Sequence, residues 1–201
     1  MNKNQEYIEH LKVEEVPWHR ITTTYGRATD FPQYFKIMWD MENITDVKTA
    51  LCEVTNNIEH QSTLWHATPF AMIFLKRIFE RAVSEINKNE CADYIVDYLL
   101  EFFELIAECF LDGDDMEHPQ QLEYFSDMVK EKYLLSEEYD EEEDEIYYED
   151  EEVFSEELFY SFWYYSYQVA AACRPMLKKL ENSSSQHWSV KAKELYALLN
   201  C

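Results

Sequence analysis

The chain has 201 residues and a formal net charge of −24, from 41 acidic and 17 basic side chains. A field this negative repels phosphate backbones and anionic membranes, which excludes nucleic acid and membrane surfaces as partners and favours a basic protein. Hydrophobic residues make up 47 % and aromatics 16 %, enough for a packed core, while 2 Gly and 5 Pro are too few for the turns of an all-β fold.

One all-α domain over residues 1–201 is therefore expected. The N-terminal stretch Met1–Glu15 has no apolar run of the kind a secretory leader needs. Asp30 is the expected N-cap of a helix over Phe31–Met41, with Pro32 in its first turn and Tyr34, Phe35, Met38 and Trp39 at helical spacing. Thr45 is the expected cap of the next helix, which carries Val47, Ala50, Leu51, Val54 and Ile58 on one face. The link between the two is so short that they should form an antiparallel hairpin.

Thr68-Pro69 opens a third helix, with Phe70, Ile73, Phe74, Ile78 and Val83 in phase. A fourth is expected from Cys91 to Leu111, stopped by Asp112-Gly113 and its left-handed glycine. This most hydrophobic stretch still holds Asp97, Glu101, Glu104 and Glu108, so it does not read as a membrane span. A weaker helix is predicted after Pro119, with Leu122, Phe125, Met128 and Val129 in phase. From Ser155 to Leu180 a helix apolar on more than one side is expected, kinked or interrupted at Pro175. Ser183-Ser184-Ser185 separates it from a last helix beginning at Gln186.

Two segments stand out beyond their periodicity: Trp18-His19-Arg20-Ile21-Thr22-Thr23-Thr24-Tyr25-Gly26-Arg27-Ala28-Thr29-Asp30-Phe31-Pro32, and His60-Gln61-Ser62-Thr63-Leu64-Trp65-His66-Ala67-Thr68-Pro69-Phe70. They resemble a family of bacterial proteins with HEAT-like helical repeats, in which glycine usually occupies the position of Ser62. The resemblance covers roughly residues 16–80. It implies an α-α superhelix of stacked antiparallel hairpins and a binding role. Some members look like immunity proteins that neutralise the toxins of neighbouring bacteria.

In the second segment His60, Gln61, Thr63 and His66 read as a structural loop. Gln61, Ser62, Thr63 and Thr68 can satisfy open helix ends, and Trp65 and His66 can pack between hairpins.

The strongest functional signal lies between Glu137 and Glu152, where every residue except Tyr139, Ile146, Tyr147 and Tyr148 is acidic. Like charges at this density predict an extended acidic loop or a poorly ordered helix extension, inserted before the penultimate helix. Tyrosine supplies contact area at little entropic cost. Tyr139, Asp140, Glu141, Glu142, Glu143, Asp144, Glu145, Tyr147, Tyr148, Glu149 and Asp150 are therefore the candidate partner-binding residues. They suit an Arg/Lys-rich partner, such as a cognate toxin domain. A general acidic scaffold or adaptor, or a mimic of nucleic-acid charge, is the alternative.

No catalytic grouping emerges. Glu9-His10, Glu59-His60 and Glu117-His118 are acid–histidine pairs, but their order and contexts differ from those of helical-repeat iron hydroxylases. Asp112-Gly113-Asp114-Asp115 lacks the ligand pattern of a calcium loop. Gly26 and Gly113 are too far apart for a phosphate-binding loop, and no nucleophile motif is present. No metal or cofactor is expected. Five cysteines without a CxxC pair point to a reduced, cytoplasmic setting.

Overall fold

Nine α-helices and two short β-hairpins make up most of the regular structure among the described residues, which in this computed structural model are 2–114, 117–150, 154–183 and 185–200. Asp115, Glu151, Glu152, Ser184 and Cys201, each part of a sequence expectation, lie outside that set. Helix α1 (Lys3–His10) starts at a reciprocal cap: Asn2 Oδ1 accepts from the Gln5 amide at 2.8 Å, and Gln5 Oε1 from the Asn2 amide at 3.1 Å. Two 3₁₀ turns, Val13–Glu15 and Trp18–Arg20, lead to the hairpin of β1 (Thr22–Thr23) and β2 (Gly26–Arg27).

Helix α2 (Phe31–Asp40) begins on Pro32 rather than on an Asp30 side-chain cap, because Asp30 is itself helical (φ −89°, ψ −3°) and makes no cap bond. Helix α3 (Ile44–Ile58) is capped by Asn43, not by Thr45. Asn43 stays extended, and its Oδ1 accepts from the Thr45 and Asp46 amides at 2.8 and 3.2 Å, which places Thr45 inside the first turn. A second hairpin, β3 (Glu59–His60) and β4 (Thr63–Leu64), precedes α4 (Ala67–Glu85) and α5 (Glu90–Asp114). Gly113 is a helical residue of α5 without a positive φ, so it does not act as the expected stop.

The helix expected after Pro119 is instead a 3₁₀ turn over Phe125–Val129. Side chains from distant elements take the backbone donors that a helix would use: Ser161 Oγ accepts from the Leu122 amide at 2.8 Å, and Asn4 Oδ1 from the Phe125 amide at 2.9 Å. The acidic stretch holds a separate helix, α6 (Glu141–Tyr148), where an extended loop or a poorly ordered helix extension was expected. The long helix expected over Ser155–Leu180 is two, α7 (Glu156–Ala171) and α8 (Arg174–Glu181), followed by α9 (Gln186–Leu198). The break follows from Pro175, which has no amide to offer the Ala171 carbonyl; Arg174 Nε donates there instead, at 2.9 Å. The acidic segment thus precedes three helices rather than two.

Helices α2 and α3 pack as one hairpin and α4 and α5 as a second, with α2 against α4 and α3 against α5. On the far side of that second hairpin, α7 lies against both α4 and α5, α9 lies on α5, and α8 pairs with α9. This central position explains α4, in which Phe70, Met72, Ile73, Leu75 and Phe79 point in different directions and are all buried. Phe70 and Tyr165 both meet Phe125 edge-on at 5.0 Å, joining α4 and α7 across the 3₁₀ turn. No helix among the described residues is long and apolar enough to cross a membrane.

Candidate protein interface

An eight-residue helix with Glu141, Glu145 and Glu149 in and just beyond one i, i+4 row does not hold itself together in water, because those pairs repel. Four local features make it possible here. Asp140 caps it, with Oδ1 accepting from the Glu143 amide at 3.0 Å. Its first turn is wholly acidic, which suits the positive end of the helix dipole. Its inner face is tied to the body by Arg27, and its C-terminal tyrosines are packed among aromatic rings.

Arg27, from β2, is the centre of this attachment. Its side chain is 4 % exposed, and it grips Asp144 with Nε to Oδ2 at 2.7 Å and Nη2 to Oδ1 at 2.5 Å. Its remaining donors reach the carbonyls of His19, Ser136 and Glu138 at 2.8–3.0 Å. Arg20 holds the segment that leads into α6. Nε donates to the Leu135 carbonyl at 2.6 Å, Nη2 to Glu131 at 2.6 Å and Nη1 to Glu137 at 3.0 Å, while the Leu135 amide returns a bond to the Arg20 carbonyl. The bond from Arg20 holds the Glu131 carboxyl below its usual range. Glu137 is lowered too, first by its bond with His19 and then by the charge of Arg20. The sequence marked Arg20 and Arg27 only as parts of a distinctive segment. Their role as a clamp has no local signature, because their carboxylate partners lie more than a hundred residues away.

The acidic residues divide into two sets. Asp144 and Glu137 face the clamp. Glu138, Glu141, Glu142, Glu143, Glu145 and Glu149 are exposed and have no cationic partner among the described residues. The tyrosines divide as well. Tyr147 donates to the Lys132 carbonyl at 2.9 Å, and Tyr148 stacks on Trp65 with ring centroids 5.5 Å apart. Burial pushes the Tyr148 phenol up to about 12. Both are therefore engaged inside the molecule, whereas Tyr139 is 63 % exposed and packs one ring face toward Arg27. Ile146, not singled out in the sequence, is 72 % exposed on the outer face. Tyr25, at the tip of the first hairpin, is 71 % exposed and touches the His60 ring edge-on.

The second hairpin braces the same end. Gln61 and Ser62 both have positive φ (52° and 63°), the signature of a type I′ turn made without glycine. Gln61 and Thr63 are exposed; the helix-end bonds are made by Thr68, whose Oγ1 donates to the Ile58 carbonyl at 2.5 Å and accepts from the Trp65 amide at 2.8 Å. His66 is fully buried. It stacks on Phe162 at 5.1 Å and donates from Nε2 to the Met128 carbonyl at 2.8 Å. Desolvation lowers its pKa to about 4, so the ring is neutral near pH 7.

The three acid–histidine pairs are dispersed. His10 meets the Glu6 carbonyl, His60 meets Tyr25, and His118 stacks on Tyr160 at 3.8 Å. Among the described residues no three His, Cys, Asp or Glu side chains gather as a metal site. Burial pushes the thiols of Cys109 and Cys173 up to about 11 and about 12. The chain matches no family model, no curated protein and no solved structure.

Proposed function

We propose that the chain is a non-catalytic protein-binding module whose acidic segment receives a basic surface of another protein. In its most specific form it is an immunity protein that covers a basic bacterial toxin domain. The observation that carries this reading is the division of the acidic segment: an inner set of carboxylates is spent on Arg20 and Arg27, and the outer set is held outward without counter-charges among the described residues. A surface fixed before binding loses less conformational entropy on association, and its field raises the rate of encounter with a cationic partner. Rim ion pairs supply at most about 1 kcal/mol each, so Tyr139 and Ile146 are assigned the apolar contact that retains the partner. The stacking of α2–α3 on α4–α5 supports a HEAT-like reading of the body.

Co-expression with the product of the adjacent gene tests the assignment. A complex that co-purifies, and that loses affinity as salt is raised, supports it. Failure of that product and of a panel of basic domains to bind would refute it.

A further inference from the structure

A second surface of the molecule has the opposite character to α6. Between α2 and α4 lies an open groove of about 480 Å³ with Phe35, Trp39, Phe74 and Ile78 on its walls. Trp39 is 43 % exposed, in a chain that buries most of its large apolar side chains. Lys36 and Arg77 border the groove, and the Arg81 guanidinium lies 4.6 Å from the centre of the Trp39 ring. Of these three cations only Lys36 has an ion-pair partner among the described residues, Asp40. Arg77 spends its donors on the backbone carbonyls of Ile8, Glu9 and Leu11 rather than on a carboxylate, with the charge of Glu80 nearby. An apolar slot bordered by cations suits a segment with one large apolar side chain among carboxylates.

The chain carries such a segment itself. On the outer face of α6, Ile146 is 72 % exposed, with Glu142 one turn before it, Glu149 one turn after it and Glu145 beside it. We propose that α6 of one copy docks in the α2–α4 groove of a second copy, with Ile146 against Trp39 and the flanking glutamates facing Lys36, Arg77 and Arg81. The contact joins two different surfaces, so a bound pair still offers one free groove on one copy and one free helix on the other. Association therefore runs head to tail, into a ring or an open chain. The net charge of −24 opposes it at low ionic strength. Near physiological salt the Debye length is about 8 Å, and the local complementarity then outweighs the distant repulsion. An eight-residue helix in a groove buries less than a stable dimer requires, so the association is weak and depends on concentration. The inference does not rest on the partner-binding reading, although a basic protein and a second copy would compete for α6.

Sedimentation velocity on the full chain, from micromolar to near-millimolar concentration at physiological salt, reads the outcome. Wild type is expected to form reversible species larger than a monomer. The double substitution Trp39→Ala, Arg81→Glu removes the apolar wall of the groove and reverses one bordering charge, and leaves α6 intact; Ile146→Asp blunts α6 and leaves the groove intact. Each variant alone is expected to be monomeric, with unchanged circular dichroism. An equimolar mixture of the two is expected to give a heterodimer and nothing larger, since only one complementary pair of surfaces remains. A wild type that stays monomeric throughout, an Ile146→Asp variant that assembles like wild type, or a mixture that fails to pair would each overturn the proposal.

Discussion

Arg27 illustrates how much of this molecule depends on single cations in an acidic chain. With its side chain 4 % exposed and paired to Asp144 at 15 %, removing it strands a carboxylate in a partly desolvated site and frees three backbone carbonyls. Arg27→Ala is expected to cost about 3 kcal/mol in urea unfolding, within the range for breaking a buried pair. It should also abolish amide-exchange protection over residues 141–148. Protection that persists in the variant would show that α6 does not depend on the clamp. His66 sets a second residue-scale expectation. Its pKa is near 4 in the fold against an ordinary 6.5, so the unfolded chain binds the extra proton between those values. The neutral ring's contribution is complete above about pH 6.5 and is lost as pH falls toward 4, about 3 kcal/mol in all. His66→Gln keeps a donor for Met128 but cannot titrate, and its stability should be flatter than that of wild type across this window. Equal slopes would mean that other groups carry the acid response.

At the level of elements, the turn between β3 and β4 stores strain that can be removed. Ser62 holds φ 63°, where an L side chain costs about 1–2 kcal/mol, and Ser62→Gly is expected to stabilise by about 1 kcal/mol in thermal or urea unfolding. A loss of stability would mean that the Ser62 side chain makes a contact worth more than the strain. Asp140→Ala should cost about 1 kcal/mol, seen first as faster amide exchange at the start of α6. The elements differ in how far the sequence reveals them. Helices α2 to α5 and α9 were legible because each has an apolar row at helical spacing, a local property. The Pro175 interruption was legible for the same reason, since proline acts on its own backbone. Helix α6 was not: beyond its Asp140 cap, it is held by Arg27 and Trp65, which no window around Glu141 contains. The 3₁₀ turn at Phe125 was missed in the same way, because Asn4 and Ser161 reach it from other elements. The candidate site was legible as a stretch of charge, while its division into an inner and an outer face was not.

For the whole molecule, charge is distributed rather than merely large. The N-terminal basic residues secure one acidic helix to one end of the stack, and the uncompensated carboxylates, Tyr139 and Ile146 lie outside that clamp. The central claim is that this outer face, fixed before binding, steers a basic protein. The association rate with the co-purifying partner, followed by stopped flow across a salt series, tests it most directly. Wild type is compared with a Glu142→Gln, Glu145→Gln, Glu149→Gln variant, which keeps Glu137 and Asp144 and hence the clamp. The account predicts a rate for the variant at least tenfold lower at low salt, with a shallower salt dependence. Equal rates and equal salt slopes would contradict it.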